Sequence, residues 1–376
     1  MGRRSTRTTG AALALLAVGS AAAGCAGGDD GSAQASADAV AAAVRSPDAA
    51  GDDGVGITLV LKNTSNPFFV SMGDSARAEA DALGVDLTVA AGTEDGDTAT
   101  QIDAIEDAVE RGDAGILITP SGDAVVPALR AARAAGVYTI ALDTPPDPAD
   151  AVDITFATDN LAAGRLIGEW TAATLDGERA VIAMLDLFDD QVISVDYLRD
   201  QGFLMGMGIL DEVDRSGNGG EPRTGSYDGG EYEIACHEAT QGSEDGGRTA
   251  IEACLAAEPD LNVVYTINEP AAQGARDALE AAGVADDVLV VAVDGGCDPG
   301  VRLVGEGAIG ATAQQYPGRM ATLGMEAIVE LVSGGEPPST TPGLHFFDTG
   351  TALVTDAPVD GVESLSVAEG AERCWG

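Results

Sequence analysis

Two phenylalanines behind an amide, Asn66-Pro67-Phe68-Phe69, follow at once on the apolar run Gly56-Ile57-Thr58-Leu59-Val60-Leu61. Flat aromatic faces suit the C–H faces of a sugar ring, and Asn66 can both donate to and accept from hydroxyls. A single phenylalanine there would read as packing under the first helix. Two adjacent rings, in a chain only 4% aromatic, point instead to a ligand clamp. Four further apolar runs end in polar side chains of matching chemistry: Leu142-Asp143-Thr144, Ile267-Asn268-Glu269, Val293-Asp294-Gly295 and Gln314-Gln315-Tyr316-Pro317. Carboxylates and amides accept from and donate to vicinal hydroxyls. Any one of these residues could instead cap a helix or shape a turn. Four such ends together with the aromatic pair predict one cleft, at the carboxyl edge of a sheet where open α/β folds hold ligands.

Chemistry beyond binding is poorly supplied. A Ser-His-Asp triad would need His237 or His345, and neither lies near a strand-end serine. Asp143 and Asp294 could in principle be the paired carboxylates of a glycoside hydrolase, but binding proteins place acids in the same way. The histidines and cysteines have no zinc-site spacing. No Walker-type loop and no Gly-x-Gly-x-x-Gly follows a strand, which argues against nucleotide chemistry. The reading is a non-enzyme with no cofactor and no metal.

The elements that must carry these residues alternate regularly. A strand over 56–61 leads to a helix over Pro67–Leu83, whose first position is the proline. Strands near 86–90, 115–119, 137–142 and 153–158 alternate with helices near 98–111 and 124–135. The rhythm then restarts: helix 162–174, strand 180–185, helix 195–207, a variable Gly-rich region over 216–247, helix 248–257, strand 262–267, helix 271–282, and strands 287–293 and 308–313. A helix over Arg319–Leu331 and a strand over Phe346–Val354 finish it. This is the pattern of two doubly wound parallel α/β units.

The N-terminus sets the compartment. Arg3, Arg4 and Arg7 precede a short apolar stretch, Ala11–Ala23, too short to span a bilayer and suited to a secretory signal. Ala22-Ala23-Gly24-Cys25 resembles a bacterial lipoprotein box, with Ala22 where leucine is usual, so residues 1–24 read as a signal peptide and Cys25 as the lipidated first residue. Residues 25–54 are Ala, Gly, Ser and Asp with little to bury, and read as a flexible tether. The remainder, about 320 residues, exceeds one comfortable core and implies two lobes. The net charge is −43, or −46 once the three leader arginines are removed, and Lys62 is the only lysine. Such a surface repels nucleic acid and argues against a polyanionic ligand. Four cysteines besides Cys25 imply disulfides in an exported protein, with three possible connectivities. Pairing Cys236 with Cys254 is the local solution, which leaves Cys297 with Cys374 to pin the C-terminal tail.

From about Gly56 to Val354 the chain resembles the sugar-binding proteins of ABC importers, of the ribose- and fructose-binding type. Asn66-Pro67-Phe68-Phe69-Val70, the Asp143 strand end, Asn160-Leu161-Ala162-Ala163-Gly164, Gln201-Gly202-Phe203, Asn268, Asp294-Gly295 and Gln315 fall in the family's order. The resemblance implies a type I periplasmic binding protein fold: two lobes joined by a three-segment hinge, at 55–158 plus 316–345 and 159–315 plus 346–376. It implies Asn66, Phe68, Phe69, Asp143, Asn268, Asp294 and Gln315 as contacts to a monosaccharide, with Gln315 also at a lobe crossover. Two family arginines are replaced: one falls on Thr144, the other on Tyr197, with Arg199 two residues later as a substitute. Leu142-Asp143-Thr144-Pro145 and Gln314-Gln315-Tyr316-Pro317 look more like the fructose-binding branch than the ribose one. The expected partners are a monosaccharide, an ABC permease and, through lipid alone, the membrane, with the protein a monomer. A sugar-sensing component of a chemoreceptor or sensor kinase would use the same cleft.

Overall fold

The computed structural model describes residues 54–376. The leader, Cys25 and nearly all of the expected tether lie outside these residues.

Runs without polar alternation become strands covered on both faces. The first unit contains β1 (Gly56–Leu61), α1 (Pro67–Leu83), β2 (Asp86–Ala91), α2 (Thr98–Arg111), β3 (Gly115–Ile118), α3 (Val126–Ala134), β4 (Tyr138–Leu142) and β5 (Ile154–Ala157). The second contains α4 (Asn160–Leu175), β6 (Ala180–Asp186), α5 (Ser194–Gly206), β7 (Thr224–Tyr227), β8 (Gly230–Ala239), α6 (Glu244–Ala257), β9 (Val263–Thr266), α7 (Glu269–Ala282), β10 (Leu289–Asp294), α8 (Arg302–Gly305) and β11 (Ala311–Gln314). The chain then returns through α9 (Pro317–Val332), β12 (Phe347–Asp348), β13 (Ala352–Val354), β14 (Ser364–Leu365) and α10 (Val367–Ala371).

One sheet runs β12-β5-β4-β3-β1-β2 and is parallel throughout. The other runs β14-β13-β11-β10-β9-β6-β8-β7, antiparallel only at β11/β13 and β7/β8. Helix α9 packs on the first sheet, burying Met320, Met325 and Ile328 with Leu117 and Leu142. The chain therefore passes between the sheets three times, after β5, after β11 and between β12 and β13.

Two expected stretches differ. Phe346–Val354 is not one strand: β12 pairs with β5 in the first sheet and β13 with β11 in the second. Gly350, at φ 91°, takes the chain out of extended geometry between them. Asp348 Oδ1 accepts from Gly350 N (2.8 Å) and from Asp159 N (3.3 Å), tying this crossing to the first. The variable region 216–247 holds the β7–β8 hairpin. Tyr232 and Ile234 face the core while Glu231 and Glu233 face outward, an alternation that marks a strand near the sheet edge.

Cys236–Cys254 and Cys297–Cys374 are bonded in the structure, with Cα atoms 5.8 and 5.0 Å apart. The first fastens β8 to α6, and the second joins the loop after β10 to the tail.

Helices α4 and α5 touch backbone to backbone. A methyl at Gly164 would overlap the Arg199 carbonyl oxygen, and one at Gly168 the Phe203 carbonyl oxygen; Gly202 and Gly206 fit against α4 in the same way. This close approach fixes where Arg199 sits relative to Asn160. Gly168→Val should push the helices apart, costing roughly 1–3 kcal/mol and lowering the thermal midpoint. An unchanged midpoint would refute this account of the packing.

Candidate functional site

Only two basic residues are buried among the described ones, Lys62 at 8% exposure and Arg199 at 4%. Each pairs with a strand-end aspartate, one in either lobe. Lys62, on the turn after β1, donates to Thr144 Oγ1 (2.9 Å) and lies 3.8 Å from Asp143 Oδ2, while Thr144 Oγ1 donates to the same Oδ2 (2.8 Å). Arg199, on α5, donates through Nη1 to Asp294 Oδ1 (3.1 Å) and to the Ile267 carbonyl (3.0 Å), and through Nε to Asn160 Oδ1 (2.7 Å). Gln315 Nε2 reaches Asp294 Oδ1 from the second crossing at 2.6 Å.

The two aspartates share a backbone peculiarity. Asp143 has φ 65° and Asp294 φ 129°, a region that costs most residues of the order of 1–3 kcal/mol. Aspartate tolerates left-handed geometry better than most. Asp143 N is held by the Phe156 carbonyl (2.9 Å). The Asp294 turn is held by Glu269, the first residue of α7. Glu269 accepts from Gly295 N (2.6 Å), Gly296 N (3.0 Å) and Thr312 Oγ1 (2.6 Å). Burial, reinforced by the Asp294 charge, pushes the Glu269 carboxyl up to about 8. Burial also pushes Asp294 up to about 6 against the pull of Arg199 and Gln315, with the Asp143 charge adding to the rise.

The structure brings Asp143, Thr144, Arg199, Asp294 and Gln315 into these two linked clusters. The remaining expected residues make other contacts. Asn66 Oδ1 caps α1 by accepting from Phe68 N (2.9 Å), and its amide nitrogen makes no hydrogen bond among the described residues. Asn268 uses both ends, accepting from Ala271 N (3.1 Å) to cap α7 and donating to the Gly242 carbonyl (3.0 Å). Phe68 and Phe69 stand edge to face at 5.2 Å and belong to the first lobe's apolar cluster. They therefore carry the packing role as well as facing the junction, with Lys62 Nζ 5.8 Å from the Phe69 ring centre.

Tyr197 makes none of the Arg199 cluster's hydrogen bonds. It borders a cavity of about 400 Å³ between the loop after β6 and residues 216–219, and burial pushes its hydroxyl up. In that region His237 bonds Asp186 (2.9 Å) and Glu221 (2.7 Å). Against burial, which pulls it down, these two carboxylates push His237 up to about 10. No cluster of metal-ligating side chains occurs among the described residues, and none of their helices is long and apolar enough to cross a membrane.

Lys62, Asn160, Glu269 and Trp375 were not among the expected site residues. Lys62 carried a signal, as a lone lysine four residues before Asn66. Trp375 carried none: its Nε1 donates to the Gln315 carbonyl (2.9 Å) and its ring meets Phe68 edge to face at 5.3 Å.

The chain belongs to the periplasmic binding protein domain family, whose profile matches residues 57–336. It is similar to the ribose import binding protein of Salmonella typhimurium, 29% identical over 287 residues covering 76% of this chain and 88% of that one. It is also similar to the D-ribose/D-allose-binding protein of Pseudomonas aeruginosa, 27% identical over 310 residues, 80% of this chain and 88% of the relative. Its fold matches an ABC transporter periplasmic solute-binding protein from Actinobacillus succinogenes solved with D-allose, at TM-score 0.69 and 22% identity over 80% of this chain and 97% of that one. An ABC transporter solute-binding protein from Mycobacterium smegmatis, solved with glycerol, matches at TM-score 0.64 and 28% identity, covering 80% and 93%.

The raised groups set a pH dependence. Asp294, Glu269 and His237 all bind protons more tightly folded than unfolded, so each contributes stability at low pH that is lost on titration. The loss runs from the usual aspartate range to about 6 for Asp294, from the usual glutamate range to about 8 for Glu269, and from 6.5 to about 10 for His237. The ligand-free midpoint should therefore fall as pH rises from 6 to 9 at constant ionic strength. Scanning calorimetry that showed a rising midpoint over that window would overturn the assignment.

Proposed function

We propose that this protein captures a monosaccharide between its two lobes and presents it to the permease of an ABC importer. The observation that carries the reading is the pair of buried cation–aspartate clusters, Lys62–Asp143 and Arg199–Asp294, one in each lobe, the second bonded by Gln315 at a crossing. Carboxylates held in this way accept from vicinal hydroxyls, and ligand bridging both lobes favours the closed arrangement by its differential affinity. Asn66 has a free amide donor to add, and Phe68 and Phe69 supply apolar surface for the sugar's C–H face. The relatives' ribose and allose support a hexose or pentose. Thr144 and Tyr197 at the two arginine positions argue for a sugar other than ribose, in the manner of the fructose-binding branch. No covalent step is proposed: Asp294 Oδ1 is already held by Arg199 and Gln315, an arrangement for binding rather than for proton transfer.

A thermal-shift screen of the soluble form against pentoses, hexoses and polyols should find one that raises the midpoint, since ligand stabilises the state it binds. Titration calorimetry with that sugar should then show Asp294→Asn and Asp294→Ala weakened by about tenfold to a hundredfold, from loss of a charge-assisted hydrogen bond worth roughly 1.5–3 kcal/mol. Phe68→Ala should also weaken binding. If folded variants at both positions bind like the parent, the cleft lies elsewhere.

The same reading places the protein outside the cytoplasm, lipidated at Cys25. Cys25→Ala should move it from the membrane to the soluble fraction of its host; unchanged partitioning would refute the anchor.

A further inference from the structure

The C-terminal residues do more than end the chain. Cys374 is bonded to Cys297, which lies three residues beyond Asp294 in the second lobe, and Cys297 N donates to the Trp375 carbonyl (2.8 Å). The next side chain leaves that lobe. The Trp375 ring packs into the first lobe's apolar cluster, edge to face with Phe68, and Nε1 holds the Gln315 carbonyl at the crossing. A Cβ on Gly296 would lie 3.2 Å from the Trp375 ring, so the Asp294-Gly295-Gly296 turn runs directly beneath it. Gln314 Nε2 bonds both the Gly295 carbonyl (2.9 Å) and the Gly370 carbonyl (3.1 Å), seating the tail's short helix on the same turn.

We propose that Trp375 is a positioning residue for sugar capture: a disulfide-pinned strap that joins the two lobes beside the hinge and sets Phe68, Gln315 and the Asp294 turn in their binding geometry. This rests on the sugar-binding reading of the same cleft. The strap is a fourth connection between the lobes, added to the three chain crossings, and it is the one that touches the aromatic pair. Its side chain touches Phe68 and Gln315, both contacts in the sugar-binding reading, so freeing it loosens the site before it loosens either core. Preorganisation of this kind acts by reducing what must be ordered on binding. The pin makes capture depend on the Cys297–Cys374 bond, which an oxidising compartment maintains.

The test uses the full chain and the variants Trp375→Ala, Trp375→Phe and Cys374→Ser. Trp375→Phe retains the edge contact and loses the hydrogen bond. Hydrogen exchange without sugar reads the strap alone: Trp375→Ala and Cys374→Ser should lose protection over 66–72 and 295–300, while the sheets keep theirs. Calorimetry with D-ribose and D-allose reads capture. Whichever binds should bind Trp375→Ala and Cys374→Ser roughly fivefold to tenfold more weakly, as expected for losing one aromatic contact, with Trp375→Phe between them and the parent. A purely structural tail would lower the melting midpoint and leave both exchange at 66–72 and the affinity unchanged, and that result overturns the proposal. If neither sugar binds the parent, the sugar reading fails at those ligands. The exchange measurement still decides the strap: lost protection upholds it and unchanged protection refutes it.

Discussion

The Arg199–Asp294 pair is the constraint around which the rest is arranged. Both residues are buried, and two charges taken out of water are costly unless geometry and further hydrogen bonds compensate. The compensation here draws on four separate segments. Asn160 and the Ile267 carbonyl each take a further guanidinium proton, and Gln315 donates to the carboxylate from the hinge. Glu269 clamps the backbone just beyond Asp294, and the glycine contacts between α4 and α5 hold Arg199 at the depth where it can reach. Removing either member of the pair leaves the other charge buried without its partner, which costs far more than the intact pair contributes.

The charge distribution follows from the same constraint. At −43 the chain carries a large excess of acidic side chains, whose mutual repulsion disfavours adding further buried carboxylates without cations beside them. Cations must be placed where that repulsion is worst. The single lysine and one arginine are buried there, each against its own strand-end aspartate. Asp294 remains raised despite its arginine, because burial and Asp143 outweigh it. A neutral ligand with hydroxyl donors suits such a site, whereas an anion would meet the same repulsion.

Much of the architecture was legible because parallel strands covered on both faces leave unbroken apolar runs, and each strand's polar end marks the sheet's carboxyl edge. The positions of Asp143, Asp294 and Gln315 at the ends of β4, β10 and β11 were readable for that reason. What was missed depends on tertiary contact. The β7–β8 hairpin lies near an edge, where alternation among glycines gives a weak signal, and Gly350 splits a single apolar stretch between two sheets. Glu269 is sequence neighbour to the expected contact Asn268, yet it is the one that shapes the Asp294 turn, while Asn268 caps α7 and donates to the Gly242 carbonyl. Arg199 was identified as a substitute for a family arginine, but its direction could not be read from spacing: Tyr197, two residues earlier on the same helix, faces a different cavity.

The packing also changes how the aromatic pair should be understood. Phe69 lies under the Lys62 ammonium, Phe68 stands edge to face with Phe69, and Trp375 meets Phe68 in the same manner. Trp375 then holds Gln315, which holds Asp294, which holds Arg199. The contacts form one chain from the first lobe's cation to the second lobe's, passing through the hinge. Phe68 therefore belongs to its own lobe's core and also meets the tail of the opposite lobe. The contacts that bury the ring also fix where it stands relative to Gln315 and the Asp294 turn, because the side chain it meets is pinned to the opposite lobe by the Cys297–Cys374 bond.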